Sequence, residues 1–452
     1  MKYYYLLVVL CFVGSTAFAQ EERIKFKEYD LDNGLHVILH QDNTVPIVNV
    51  SVLYHVGSKN EPDGRTGFAH FFEHLMFEGS DNIKRGEYSK IISAAGGQLN
   101  ANTSQDRTFY FETLPSNQLE LGLYMESERM LHAKIDSAGI ATQKEVVKEE
   151  KRTRIDNQPY MSFQEKMFKD AYPGTNYEWT PIGSFKDIDA ATDQDFKDFY
   201  HTFYVPNNAT MAIAGDIDID QTKQLVSKYF SEIPRGTHKI PRPKISAPDL
   251  GNEVRETVFD NVQLPAVMYG YRMPKQGSDE NYALQMLTTL LSGGQSSRFY
   301  KELVDKEQIA AQVFAFPFSL EDGGIFITVG LANVGKNAED LEKGMEAEIE
   351  KAKTQLISEK EYQKLQNQME NNFVSSNSTM RGIAESLADY HVYYGDANLI
   401  NTEIKKYQAV TREDIQKVAK KYLIKDNRVT LYYLPKSAQE KPNESEINKE
   451  GN

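Results

Sequence analysis

Cysteine is all but missing from this chain of 452 residues: one is present, at position 11. A single thiol makes no intramolecular disulfide and no Cys-based metal cluster, which excludes a disulfide scaffold and a Cys-type zinc finger. Positive charge is in deficit as well. Against 65 Asp and Glu stand 51 Lys and Arg, a formal charge of −14, so there is no basic surplus to neutralise phosphates and a general nucleic-acid binder is excluded. Long apolar runs are absent after residue 20, where nothing reaches the roughly 18 residues that a membrane-crossing helix requires. What is present is 40% hydrophobic and 11% aromatic residues, enough for large cores. At about 150 residues per domain the length alone suggests about three domains.

The ends carry their own signals. Residues 1–19, MKYYYLLVVLCFVGSTAFA, place one Lys before an apolar run from Leu6 to Val13 and close on Ala17-Phe18-Ala19. This is the pattern of a secretory signal peptide cleaved before Gln20. The mature chain is therefore expected to be exported, periplasmic or secreted, without a transmembrane anchor. Val8-Val9-Leu10 lacks the small residue that precedes a lipidated Cys, so no lipid anchor is expected. Residues 437–452 hold almost no apolar side chain and read as a disordered tail.

Four of the sixteen prolines lie between Pro234 and Pro248, which predicts an extended linker over 234–250. It separates halves at 20–233 and 251–436 that share a repeat. Thr192, Asp195, Phe203 and Asn208 recur as Thr411, Asp414, Tyr422 and Asn427, each at an offset of 219. Each set brackets a capped helix followed by a strand, Ala209 to Ala214 or Val429 to Tyr433. Three domains thus become two copies of one α/β unit. Further strands are predicted at 36–40, 47–55 and 108–113, and at 263–271 and 324–331. Further helices are predicted at 69–77, 118–132, 143–155, 282–291 and 338–356.

The most informative segment is TGFAHFFEHLMFEGS, Thr66 to Ser80. On a helix, His70 and His74 lie one turn apart on one face with Glu73 beside them, an H-x-x-E-H arrangement that can grip one ion. Two imidazoles leave a third protein ligand to be found. In EVVKEEKRTR, Glu145 to Arg154, periodicity puts Glu150 on the same face as Val146 and Val147 and Glu149 on the solvent face, so Glu150 is selected. The alternative for Glu150 is a buried carboxylate paired with Arg154. The remaining histidines show no comparable spacing and read as strand or surface residues.

With these residues in hand, the chain resembles the pitrilysin or insulinase family of zinc metallopeptidases, in its short-subunit subgroup similar to the mitochondrial processing peptidase. LDNGLHVIL, HFFEHLMFEG, GGQLNANTSQDRTFYF, VVKEE, YEWTPIGS, FYVPNNATMAIAGD and SGGQSSRFYKEL follow one another in the family order. The resemblance implies an α+β fold of two homologous α/β domains, helices packed on antiparallel-rich sheets, forming half of a clamshell dimer. The first domain would bind zinc and the second would be metal-free. It implies one Zn²⁺ held by His70, His74 and Glu150, with Glu73 activating the water. The substrate would be a short or unfolded peptide, its backbone held at Asn100 and Ala101.

Two departures matter. Where complete family members carry an Arg and a Tyr that contact the substrate carbonyl, this chain has Val304 and Ala311. A related partner subunit supplying that pair is therefore expected, giving a heterodimer. Gln143 stands where many members have a Glu, which would tune the site. The rival function is a non-catalytic subunit that binds peptides or scaffolds a processing-peptidase-like assembly.

Overall fold

Strands form where β-branched and aromatic residues run without a break, and their burial sets their place in a sheet. The computed structural model describes residues 23–439. The expected signal peptide lies outside the described residues. The described residues end in a helical turn, Lys436–Gln439, so the first three residues of the expected disordered tail are helical, and the rest of that tail lies outside the described residues.

In the first half, β1 (Lys27–Asp30), β2 (His36–Gln41), β3 (Ile47–Tyr54), β4 (Gln98–Thr103), β5 (Thr108–Pro115) and β6 (Ala209–Gly215) form one sheet in the order β1-β2-β6-β3-β5-β4. In the second half, β7 (Val254–Asp260), β8 (Ala266–Arg272), β9 (Ala310–Leu320), β10 (Gly323–Ala332) and β11 (Arg428–Pro435) form another, in the order β7-β11-β8-β10-β9. One pair in each sheet is parallel, β2 with β6 and β7 with β11, and the rest are antiparallel. β6, ATMAIAG, is buried at every residue because it lies mid-sheet with both faces covered.

The helices needed below are α1 (Phe68–Leu75), α2 (Leu119–His132), α3 (Ser137–Lys151), α4 (Phe163–Ala171), α5 (Asp193–Phe203), α6 (Asp279–Ser292), α7 (Ala338–Thr354), α8 (Glu359–Ser376), α9 (Met380–Tyr394) and α10 (Arg412–Tyr422). The sequence repeat is a repeat in space. Thr192 caps α5 and Thr411 caps α10, each in a reciprocal box with the Asp three residues on. Asn208 Nδ2 donates to Phe203 O at 2.8 Å, and Asn427 Nδ2 donates to Tyr422 O at 2.9 Å.

Each sheet has two apolar faces to cover. α1, α2, α3 and α5 cover one face of the first sheet. Its other face, with Ile38, Leu53, Phe109, Ala212 and Ala214, packs against Met380, Ile383, Ala384, Leu387 and Ala388 of α9, a helix of the second half. In return, Phe163, Met167, Phe168 and Ala171 of α4 cover Met268, Ile327, Val429 and Leu431 of the second sheet. The halves thus exchange helices. Arg107 on the loop before β5 reinforces the exchange by pairing with Glu385 and Asp389 of α9. Residues 234–253 hold no helix or strand, and they hydrogen-bond back to the first half through Gly236 N to Asn207 and Asn60 Nδ2 to Pro241 O.

Several boundaries differ from expectation. The helix predicted from Gln143 begins at Ser137, because Asp136 accepts Gly139 N at 2.8 Å and so caps a segment whose Ser and Gly look non-helical. It continues past Lys151 as a wider turn over Arg152–Asp156. The strand predicted from Gln263 begins at Ala266, just after Pro265, which has no N–H to give a ladder. Edge strands β1, β4 and β7 carry too many polar residues to announce themselves, and β9, AAQVFAFPFSL, is apolar but interrupted by Pro317.

Candidate metal centre

α1 is built as a two-faced helix. Phe68, Phe71, Phe72 and Leu75 are buried, stacking on Phe196, Phe199 and Tyr204, which leaves His70, Glu73 and His74 on the opposite face. Its start is fixed by Gly67 at φ +95°, where a side chain would meet Ile182 O at 2.9 Å. The buried Glu61 carboxylate accepts Gly67 N at 3.0 Å, Ala69 N at 2.8 Å and the Trp179 indole N–H at 2.8 Å. Burial pushes the Glu61 carboxyl up to about 8 against the pull of these donors.

His70 Nε2 and His74 Nε2 lie 3.3 Å apart. Glu150 Oε2, from α3, is 2.9 Å from His74 Nε2 and 3.5 Å from His70 Nε2. The ligand atoms of the three residues all fall within 4.8 Å of one another. Glu150 also pairs through Oε1 with Arg154 Nη1 at 2.7 Å, the contact that the alternative reading of this carboxylate expects. Its side chain is 14% exposed and that of Glu149 is 65% exposed, but of the two valines expected on the inward face only Val147 is buried, while Val146 is exposed.

Burial, and then the neighbouring His74, pushes His70 down to about 4, which leaves a neutral imidazole. The hydrogen bond with His74 holds the Glu150 carboxyl below its ordinary value and ionised. Two imidazole nitrogens and a carboxylate oxygen facing one point are a donor set that suits zinc. Glu73 is raised by burial and steadied by the Thr103 hydroxyl, which donates to Oε2 at 2.6 Å.

Thr103 ends β4, the outer strand of its sheet, so α1 and β4 meet at Glu73. Asn100 is exposed on the same strand and Ala101 is buried, its N–H taken by Asn100 Oδ1 at 2.9 Å. Gln143, two turns before Glu150, donates to Glu78 Oε1 at 2.6 Å, and Glu78 pairs with Arg85. Val304 packs against the core of the second half, and Ala311 is exposed on β9. Glu61, Thr103 and Trp179 were not selected from sequence. The single Trp and a Thr at the end of an apolar-poor strand carry no spacing signal of their own.

A second grouping, Glu28, His36 and His391, also brings ligand atoms within 4.8 Å. The two rings lie flat on one another, 3.5 Å apart at 7°, so their in-plane lone pairs run parallel and do not converge on one ion.

Residues 36–182 match the family described as Insulinase (Peptidase family M16), and residues 190–369 match the Peptidase M16 inactive domain. Zinc protease PqqE of Helicobacter pylori is 33% identical over 430 residues, covering 94% of this chain and 96% of that protein. An uncharacterized zinc protease of Mycobacterium leprae is 26% identical and covers 87% of this chain and 88% of its own. Among solved structures, a protease from Helicobacter pylori superposes with TM-score 0.87 at 32% identity, over 91% of this chain and all of that one. The periplasmic protease PqqL of Escherichia coli superposes with TM-score 0.76 at 19% identity, over 94% of this chain and 49% of that one.

Proposed function

The chain belongs to the M16 peptidase family, the insulinase family, and on that premise we propose that it is a zinc-dependent endopeptidase whose reacting groups lie on α1 and α3. The observation that carries this reading is the convergence of His70, His74 and Glu150 within 4.8 Å, with Glu73 on the same helix as the histidines. These three residues hold one zinc ion per chain. Zinc held in this way supplies a Lewis acid that polarises a peptide carbonyl and lowers the pKa of water toward about 7.

Glu73 takes the proton of the attacking water and passes it to the departing amine nitrogen. The Thr103 hydroxyl occupies Oε2, so Oε1 is the atom that carries the proton. A peptide adds as a strand to β4, along Asn100 and Ala101, in a register that brings its main chain toward Glu73. Main-chain pairing gives affinity with loose sequence selectivity, which suits short or unfolded peptides.

Neither Val304 nor Ala311 offers a polar group to the substrate, and a related subunit supplies the missing Arg and Tyr. Support for pairing comes from PqqL, of which this chain spans about half the length. Two such units then close as a clamshell. The signal-like residues 1–19 support export to the periplasm or beyond.

The test is metal analysis with a peptidase assay on the mature chain, alone and with its related subunit. Glu73→Gln is expected to keep about one zinc and to lose turnover at least a hundredfold, about 3 kcal/mol of barrier. Full activity in that variant overturns the assignment. Zinc well below one per chain in the unmodified protein favours the non-catalytic scaffold.

A further inference from the structure

The register of the two sheets places a counterpart of the metal centre in the second half. Tyr54 pairs with Ala209 and with Thr108, and Thr108 faces Thr103. Tyr271 pairs with Arg428, which follows Ala209 by the repeat offset, and with Phe326, which faces Pro317. Pro317 therefore stands where Thr103 stands. Gln285, Thr288 and Thr289 on α6 repeat the i, i+3, i+4 spacing of His70, Glu73 and His74. All four of these second-half residues line one cavity of about 320 Å³.

No imidazole lines this cavity, and its one carboxylate is Glu403. Glu403 accepts the Tyr282 hydroxyl at 3.0 Å and the Tyr390 hydroxyl on its other oxygen. Burial raises its carboxyl, the two hydroxyls oppose this, and no cation enters the balance. Asn377, 7% exposed, lines the same space; its Nδ2 donates to Phe373 O and its Oδ1 is buried without a partner. Gln285 is already spent on Asn281 and Tyr407. The walls include Phe373, Tyr390 and Tyr407.

A half-buried carboxylate without a counter-charge, an unused acceptor and aromatic walls together favour a cation with several donors. We propose that this cavity binds a small primary ammonium compound of amino-acid size, with Glu403 as its counter-ion and Asn377 Oδ1 as a second acceptor. The volume is at the lower end for ligand sites, about 300 to 1,000 Å³, and admits one small molecule rather than a folded segment. The site is separate from the metal centre and does not depend on the peptidase reading.

Calorimetric titration of the mature chain with benzylammonium, and with benzyl alcohol as its neutral counterpart, tests this. Benzylammonium should bind one to one with a Kd below about 1 mM, and benzyl alcohol at least about tenfold more weakly. Glu403→Gln should weaken the amine by about tenfold and leave zinc content unchanged. Equal binding of amine and alcohol, unchanged binding in the variant, or no saturable heat up to about 10 mM overturns the proposal. Should the variant fail to fold, the comparison of amine with alcohol on the unmodified chain decides alone.

Discussion

Glu61 shows how much of the proposed metal centre rests on a residue outside the set of proposed ligands. Its carboxylate gathers two backbone N–H groups at the start of α1 and the indole N–H of Trp179. Glu61→Gln keeps the volume but turns one acceptor into an N–H₂ facing N–H donors. We expect it to lower stability by about 1–3 kcal/mol, measured by denaturant unfolding, because buried donors lose their acceptor. Zinc affinity should fall with it, since α1 carries two of the three proposed ligands. The motif H-x-x-E-H was legible because its spacing is its chemistry. Glu61 was not, because a cap reaching in from a preceding loop has no fixed distance in sequence from the helix it serves. Glu150 lies between these cases: periodicity separated it from Glu149, and the packing of α3 gave that separation a physical reason.

At the scale of elements, the capping boxes make the repeat testable. Thr192→Ala and Thr411→Ala each remove the side chain that accepts the N–H three residues on. Each should cost about 1 kcal/mol, and the double variant about the sum, because the two caps are far apart and share no partner. Unfolding curves of the three variants check this. The offset of 219 was readable because caps and the Asn after each helix are fixed by local geometry. The edge strands were not readable. β4 is Gln-Leu-Asn-Ala-Asn-Thr, which alternates but offers only Leu99 and Ala101 as apolar residues, too few to mark a strand at the outer edge of its sheet.

At the scale of the whole molecule, the exchange of α4 and α9 joins two cores into one cooperative unit. Leu387 is fully buried against the first sheet although it belongs to the second half. Leu387→Ala should cost about 2–5 kcal/mol and shift a single melting transition rather than split it, as calorimetry would show. A polar tie spans the same boundary. Glu321, on the turn between β9 and β10, is held down at about 2 by His55 and Lys59 even though burial opposes this. A carboxyl depressed when folded stabilises above its ordinary value near 4.5 and loses that contribution as pH falls toward about 2. The melting temperatures of wild type and Glu321→Gln should therefore differ near neutral pH and converge as the solution is acidified through that window. Neither tie was legible in the sequence, because both join residues that lie far apart along the chain.

The exchange also sets an order of events during synthesis. A chain emerging from its N-terminus finishes β6 at Gly215 long before Met380 appears. Throughout that interval Ile38, Leu53, Phe109, Ala212 and Ala214 have no helix to cover them. The first half therefore waits, incompletely folded, for nearly the last part of the chain to be delivered. A chain cut short before Met380 would leave this apolar face of the first sheet open to water, and so open to association with other unfinished chains.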